Sequence, residues 1–298
     1  MNMRKSIGWI ATALLLSGAA IAQEQRVLVT VEGHKDAPAP AVTRDDVMVS
    51  VENQRARVTG WTAARTSGTE LWLLIDDGTD ASVGVQLDDL RKFILDQPPA
   101  TQIGVGYLRN GTVAATQKLT TDHALAAKAL RLPTGTPGIS ASPYQALEEL
   151  IHKWPASDHA REVLMITSGI DPFNGPGPIN PYLTSAIDKA QRAGVVVYSI
   201  YYGSAGHFGH SFWQINWGQN FLSEMSEETG GEFYWQGNLN PVSFAPYLKE
   251  VTQHLNSQHV LTFQPAPINN PGYKRLKVTT EIPHATLVAQ HRVYLSNK

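Results

Sequence analysis

Apolar and polar residues alternate with a period of two near both ends of the chain. Val27, Val29 and Val31 fall on one face of a strand predicted at 26–32, and the segment 47–51 has the same spacing. The C-terminal tail returns to this pattern and predicts three more strands, near 258–264, 274–281 and 286–295. A strand with one apolar face has to bury that face, so these segments are expected to pack against other elements.

The middle of the chain has a different pattern, in which continuous apolar runs alternate with segments of helical spacing. The runs at 71–75, 162–167 and 195–201 are typical of parallel strands that are covered on both faces. Between them, the pattern predicts strands near 102–108 and 112–118 and helices near 83–96, 122–131, 143–154, 182–193, 220–229 and 241–256. Strands alternating with helices indicate an α/β fold with a doubly wound, mostly parallel, Rossmann-like sheet.

The first residues have the pattern of a secretory signal. Arg4 and Lys5 precede an apolar run from Ile7 to Ala20, and a small residue follows at Ala22. The run is too short for a comfortable membrane span, although an uncleaved N-terminal anchor is the alternative. The sequence therefore predicts an exported protein, periplasmic or extracellular, with no stable membrane span after cleavage.

These patterns divide the chain into four segments. A signal peptide is predicted at 1–22, an N-terminal β segment at 23–66, a central α/β domain at 67–256 and a C-terminal β segment at 257–298. The two β segments are expected to form a base beside the central domain.

Composition excludes several classes of protein. The 298 residues are 42% hydrophobic with a formal net charge of −2, which is unlike a disordered chain. There is no cysteine, so disulfide scaffolds and thiolate metal sites are excluded. The near-neutral charge provides no basic field, and we expect no nucleic-acid partner.

Several motifs stand at the ends of the predicted strands. The strand at 71–75 runs into Asp76-Asp-Gly-Thr-Asp80, a second strand ends in Thr167-Ser-Gly169, and a third reads Gly194-Val-Val-Val-Tyr-Ser-Ile200. Together they resemble a von Willebrand factor type A domain. Similar flanking segments occur in exported bacterial proteins related to that family, abundant in acidobacteria; they are Thr43–Val49, Thr229–Phe233, His259–Pro265 and Tyr273–Val278.

The resemblance implies a site for a divalent cation at the top edge of the sheet. In the family, an Asp-x-Ser-x-Ser loop, a Thr and an Asp hold the ion. Asp76 matches the first Asp, whereas Gly78 and Asp80 stand where the two serines belong. The candidate ligands that remain are Asp76, Asp80, Ser140, Ser142, Ser168 and Asp171.

These oxygens would suit Mg²⁺, or Ca²⁺ or Mn²⁺, with no other cofactor expected. Ser140 or Ser142 would replace the Thr, and Ser168 stands where the family has its Asp. The alternative is that the acidic loop is solvated and that Asp80 or Ser82 caps the following helix.

A loop predicted at 203–219 is rich in aromatic residues and histidine, and its candidate partner-binding residues are His207, Phe208, His210, Phe212, Trp213 and Trp217. Exposed aromatics at the edge of a sheet can anchor a partner. Alternatively, they pack onto the neighbouring helix. The two histidines have zinc-like spacing, but the sequence indicates no third ligand nearby.

The motifs of common enzymes are missing from the sequence, including the nucleophile elbow and the phosphate-binding loop. We therefore expect a non-enzymatic module that binds a protein or peptide at the edge formed by loops 76–82, 138–143 and 168–181. A metal-dependent hydrolase and a structural envelope component with a lost metal site are the alternatives.

Overall fold

A computed structural model of the protein describes residues 24–34, 37–136, 142–174, 177–203, 211–237, 239–267 and 270–296. The predicted signal peptide lies outside these residues. Within them, no helix is both long and apolar enough to cross a membrane.

The strands are β1 (Gln25–Gly33), β2 (Val47–Val51), β3 (Gln54–Ala63), β4 (Thr69–Asp76), β5 (Gln102–Arg109), β6 (Thr112–Thr120), β7 (Ala160–Thr167), β8 (Val195–Tyr201), β9 (Phe233–Tyr234), β10 (Gln258–Gln264), β11 (Gly272–Thr280), β12 (Ala285–Ala289) and β13 (Arg292–Leu295). The α-helices are α1 (Ala64–Ser67), α2 (Leu87–Leu95), α3 (His123–Lys128), α4 (Pro143–Lys153), α5 (Pro181–Ala193), α6 (Phe212–Thr229) and α7 (Ala245–Ser257). Short 3-10 helices occur at Arg44–Asp46 and Ala81–Gln86.

Six strands form a central, mostly parallel sheet in the order β6-β5-β4-β7-β8-β9. β6 alone among them runs antiparallel to its neighbour, β5. Because chain order runs outward in opposite directions from β4 and β7, the carboxyl ends of these two strands flank a crevice where α/β proteins place ligands. The α/β class and the mostly parallel sheet predicted from the sequence are thus confirmed.

Helices cover both faces of the central sheet. Leu71, Leu73 and Ile75 of β4 point into one apolar cluster together with α2, α3 and α7. Trp72 and Leu74 point into a second cluster with α4, α5 and α6. Alternate residues of a strand face opposite sides, so burial on both sides requires the continuous apolar run seen in the sequence.

The remaining seven strands form an antiparallel sheet in the order β12-β1-β10-β3-β2-β11-β13. It combines strands from both ends of the chain, because β1 pairs with β10 and with β12. Val27, Val29 and Val31 are buried on one face of this sheet with Leu261 and Phe263.

Helix α7 connects the two sheets. Its Leu248, Val251 and Leu255 share an apolar cluster with Leu28 of β1 and Val260 of β10. The same cluster contains the inward side chains of the central sheet. The two sheets are therefore in contact through a layer of apolar side chains, and α7 contributes three of them.

The structure corrects the loop predicted at 203–219. Helix α6 begins at Phe212 instead of near residue 220. Ser211 Oγ accepts a hydrogen bond from the Gln214 backbone N–H at 3.3 Å, and Gln214 Oε1 accepts one from the Ser211 N–H at 2.9 Å. This capping box begins the helix ahead of its apolar stripe, which is why periodicity alone placed the start too late.

The strand predicted at 286–295 is divided in two. β12 pairs with β1 at one edge of the antiparallel sheet, whereas β13 pairs with β11 at the other edge. The alternation of side chains is similar along the whole segment, so the sequence does not reveal the change of partner.

We predict that Leu255→Ala lowers the free energy of unfolding by about 2 to 5 kcal/mol, because a truncated core leucine leaves a cavity. Leu255 is 5% exposed, between the two sheets. The matched control is Leu95→Ala on α2, where the side chain is 53% exposed and the expected change is within about 0.5 kcal/mol. Urea unfolding of both variants checks this, and equal losses would contradict the position assigned to α7.

Candidate functional site

The loops after β4 and β7 meet at the carboxyl-terminal edge of the central sheet. Asp76 ends β4, and its Oδ2 accepts a hydrogen bond of 2.8 Å from Thr167 Oγ1 at the end of β7. Four residues after Thr167, Asp171 accepts a hydrogen bond of 2.9 Å from Ser142 Oγ. Three of the predicted site residues, one from each predicted loop, therefore lie at the same edge.

Asp76 ties its own loop to the neighbouring strand. Its side chain is buried, and Oδ1 accepts a hydrogen bond of 2.8 Å from the Gly78 N–H. With Thr167 bound to Oδ2, both oxygens of this carboxylate accept protein hydrogen bonds. The aspartate thus closes a local turn, as aspartates commonly do after a strand.

Asp77 anchors a segment that the sequence did not connect to this loop. The side chain is fully buried, and Oδ1 accepts hydrogen bonds from Arg131 Nη1 at 2.8 Å and from the Thr134 N–H at 2.9 Å. Arg109 Nη1 lies 3.6 Å from Oδ2. Burial alone would raise the pKa of Asp77, but the hydrogen bonds from Arg131 and Thr134 outweigh it and lower the pKa.

Asp80 caps the 3-10 helix at Ala81–Gln86. Its Oδ1 accepts a hydrogen bond of 2.9 Å from the Ser82 N–H, and the Ser82 hydroxyl contacts the same oxygen. The Ser82 hydroxyl also lies 2.6 Å from Tyr202 Oη, which connects this loop to the end of β8. The structure therefore has the cap that the alternative interpretation of this loop predicted.

Asp171 joins the first turns of two helices. Its Oδ2 accepts hydrogen bonds from Ser142 Oγ at 2.9 Å and Asn180 Nδ2 at 3.2 Å, and Oδ1 accepts one from the Phe173 N–H at 3.0 Å. Ser142 is the N-cap of α4, and Asn180 is the N-cap of α5. One buried carboxylate thus holds both caps in position.

The other candidate residues have separate outcomes. Ser168 is buried, and its Oγ accepts a hydrogen bond of 3.4 Å from the Ile170 N–H. Four predicted site residues lie outside the described residues, namely Ser140, His207, Phe208 and His210.

The described residues do not fit the donor set of an assembled divalent-cation site. Among them, no group of three or more histidine, cysteine, aspartate or glutamate side chains is arranged to hold a metal. Asp76, Asp80 and Asp171 instead accept hydrogen bonds from protein donors. Mg²⁺ requires near-octahedral oxygen ligands, so binding would require these bonds to rearrange. Metal binding stays a prediction of the sequence.

Aromatic side chains crowd the start of α6 beside this edge. Phe212 and Trp213 are 60% and 67% exposed, and their ring centroids lie 6.2 Å apart. Trp217, one turn later, is partly buried and stacks on Phe221 with the ring centroids 6.1 Å apart. The first two residues are thus available to a partner, whereas Trp217 packs onto the protein as the alternative interpretation predicted.

The loop after β7 lies against α6. Gly169 has a φ of +70°, and a Cβ atom there would lie 2.2 Å from the Gly218 carbonyl oxygen. Only glycine permits this backbone angle together with such a close approach. Phe173 and Ile179 on this loop are 55% and 79% exposed.

Nine of the eleven large exposed apolar side chains among the described residues lie in segments at the carboxyl edge of the central sheet. We call this set the edge patch; its members are Val85, Leu132, Phe173, Ile179, Phe212, Trp213, Trp235, Leu239 and Val242. Gln86 Nε2 donates a hydrogen bond of 3.0 Å to the Pro241 carbonyl, which holds two of these segments together.

We predict that Asp171→Ala lowers the free energy of unfolding by about 1 to 3 kcal/mol, because the buried Ser142 and Asn180 side chains lose their shared acceptor. The loss should be the same in EDTA and in millimolar Mg²⁺, as urea unfolding can measure. Asp122→Ala, which removes the isolated N-cap of α3, is the control, with an expected loss near 1 kcal/mol. A loss that appears only with Mg²⁺ would identify Asp171 as a metal ligand instead.

Of the comparisons with known proteins, only the one with solved structures found similar chains. No family model matches the chain, and no curated protein matches it. One similar structure is an aerotolerance-related membrane protein from Bacteroides fragilis, at 15% identity and a TM-score of 0.43, covering 63% of this chain and 99% of that one.

Two further structures are similar. The VWA domain of SpRpn10 has 9% identity and a TM-score of 0.37, covering 63% of this chain and 97% of that one. The pilus adhesin SpaC from Lactobacillus rhamnosus GG has 8% identity and a TM-score of 0.44, covering 82% and 48%. At such values the similarity carries no conclusion about function. One of these similar structures is a VWA domain, and the sequence motifs resemble the same family.

Proposed function

We propose that the protein is an exported, non-enzymatic binding module that engages a protein or peptide through the edge patch. The observation that carries this proposal is the exposure of Phe212 and Trp213 on the first turn of a capped helix. These two exposed rings lie in contact, with their centroids 6.2 Å apart, and adjoining exposed apolar side chains on a folded protein are typical of an interaction site. A few residues contribute most of the binding energy at such sites, and tryptophan is enriched among them.

The supporting elements hold these aromatic residues in place before a partner arrives. The capping box at Ser211 begins α6, and Trp217 packs the next turn onto the protein. Gly169 lets the loop after β7 approach the α6 backbone closely. A surface that is already ordered loses less conformational entropy on binding, which favours affinity.

We propose that a partner carboxylate lies at the amino end of a helix at this edge. Helices α4, α5 and α6 all begin at this edge, at Ser142, Asn180 and Ser211. The amino end of a helix attracts negative charge. Asp171 already lies at the caps of α4 and α5, so the amino end of α6, beside Phe212 and Trp213, is the position that we propose for the partner carboxylate expected from the sequence.

We propose that this binding does not require a cation. The hydrogen bonds of Asp76 and Asp171 make both side chains part of the scaffold, which supports that view. The central sheet would then be the doubly wound sheet of a domain similar to the type A family. Its carboxyl-terminal edge would bind the partner through apolar contacts. Export is proposed from the signal-like pattern at residues 1–22.

A selection of displayed peptides tests the proposal. The full chain is expressed, and the purified protein is used to select peptides, whose affinities are then measured by calorimetry. We predict that Trp213→Ala weakens the selected peptides at least tenfold, or about 1.4 kcal/mol, with no change in thermal stability. Affinity should be equal in EDTA and in Mg²⁺.

Leu125→Ala on α3 is the matched control, because Leu125 is 47% exposed and lies outside the edge patch. Its peptide affinities should equal those of the wild type. Peptides that bind wild type and Trp213→Ala equally would refute the edge patch as the binding surface. A failure to select any peptide would favour the alternative function of a structural envelope component. Binding that is lost in EDTA would restore the cation-dependent site.

A further inference from the structure

We propose that the junction between the two sheets responds to pH, so that acidification tightens their docking and alkalinisation loosens it. The junction consists of α7, β1 and β10 packed on the central sheet, together with the contact of α6 with the turn between β12 and β13. Two titratable side chains, Glu162 and His291, lie at separate places in it.

Glu162 is a buried carboxyl group without a counter-charge. It lies on β7, is fully inaccessible to solvent, and neither of its side-chain oxygens has a hydrogen-bond partner among the described residues. Tyr198 and Gln258 adjoin it, and Gln258 Nε2 donates a hydrogen bond of 3.1 Å to Tyr198 Oη. Because Gln258 opens β10, this glutamate lies where the central sheet meets the antiparallel sheet.

Ionised Glu162 would cost free energy at this position, since a buried charge needs a partner. Burial raises the pKa of Glu162 well above its usual range, and the nearby Gln258 amide opposes this shift. From β1, Glu32 adds negative charge near Tyr198, whose own pKa is raised by burial and by Glu162. Burial thus favours the neutral form of Glu162 against the smaller opposing effect of Gln258.

His291 forms the second contact, between the turn before β13 and the end of α6. Its Nδ1 lies 3.2 Å from Glu228 Oε1, and its backbone N–H donates to the Glu228 carbonyl at 3.2 Å. The hydrogen bond with Glu228 raises the pKa of His291. Burial and Arg275 oppose this shift, and Glu227 adds to it. Arg292 Nε also approaches Glu228, at 3.5 Å.

The two groups act in the same direction. The pKa of Glu162 is raised from 4.5, so the docked state holds a proton that the separated state releases, and docking weakens as pH rises above 4.5. The pKa of His291 is raised from 6.5, so its stabilisation is fully present below 6.5 and is lost as pH rises through the value in the docked state. Both favour docking at lower pH.

Other titratable groups of α7 and its neighbours limit the pH range over which docking responds. Burial lowers the pKa of His254, whose Nε2 lies 3.7 Å from Glu32, so the separated state binds a proton that the docked state does not as pH falls below 6.5, and this opposes docking. Burial, with Glu32 and Glu250, raises the pKa of Glu232 to about 7, and its protonation favours docking. The junction should therefore respond most steeply from pH 6.5, below which His254 opposes the effect, up to the raised pKa of His291.

Amide hydrogen exchange of the full chain, read by mass spectrometry and corrected for the intrinsic effect of pH, tests the proposal. Between pH 6 and 8, we expect the opening of β1 and β10 to increase by up to about tenfold per pH unit for each titrating group. Glu162→Gln and His291→Gln should each reduce this slope, and the double variant should reduce it further. Glu281→Gln and His152→Gln, at exposed positions, should leave the slope unchanged.

The hydrogen exchange of β4, in the central sheet, distinguishes a change in docking from global unfolding. We expect its exchange to depend less on pH than that of β1 and β10. An equal slope in all three strands would overturn the proposal, because the effect would then belong to the whole fold. Unchanged slopes in His291→Gln and Glu162→Gln would also overturn it, and if the Glu162→Gln variant does not fold, the His291→Gln variant and the wild-type slopes decide.

Discussion

The burial of both faces of the central sheet is the constraint on which the rest of the structure depends. Leu73 and Leu74, adjacent on β4, are both fully buried because helices lie on opposite sides of the strand. Neither face of these strands is left for a ligand. The carboxyl-terminal edge is where loops can present side chains, and the polar and aromatic residues of the candidate site occur there.

The polar groups at this edge act mainly as scaffold. Asp76 joins two strands, Asp77 holds the segment that contains Arg131, and Asp171 joins the caps of α4 and α5. Buried carboxylates with this many donors stabilise one loop conformation. The same edge carries exposed apolar side chains, through which we propose that a partner is recognised.

The antiparallel sheet adds a second level of organisation. It brings both ends of the described chain together through β1 and β10, and α7 packs it onto the central sheet. Apolar burial supplies most of this contact, but Glu162 lies in it without a counter-charge. A polar group in such a place makes docking sensitive to protonation in a way that a fully apolar junction would not be.

The sequence by itself determined the class of the fold, since continuous runs such as 71–75 and alternating runs such as 26–32 report how many faces of a strand are buried. It also placed Asp76 and Asp171 at one edge, because parallel strands end together. Only the tertiary structure decided their roles: the partners Thr167, Ser142 and Asn180 come from other segments, so their hydrogen bonds have no local signal. The same holds for the start of α6, where a capping box overrides apolar spacing, and for Glu162, whose burial depends on a sheet built from the far ends of the chain.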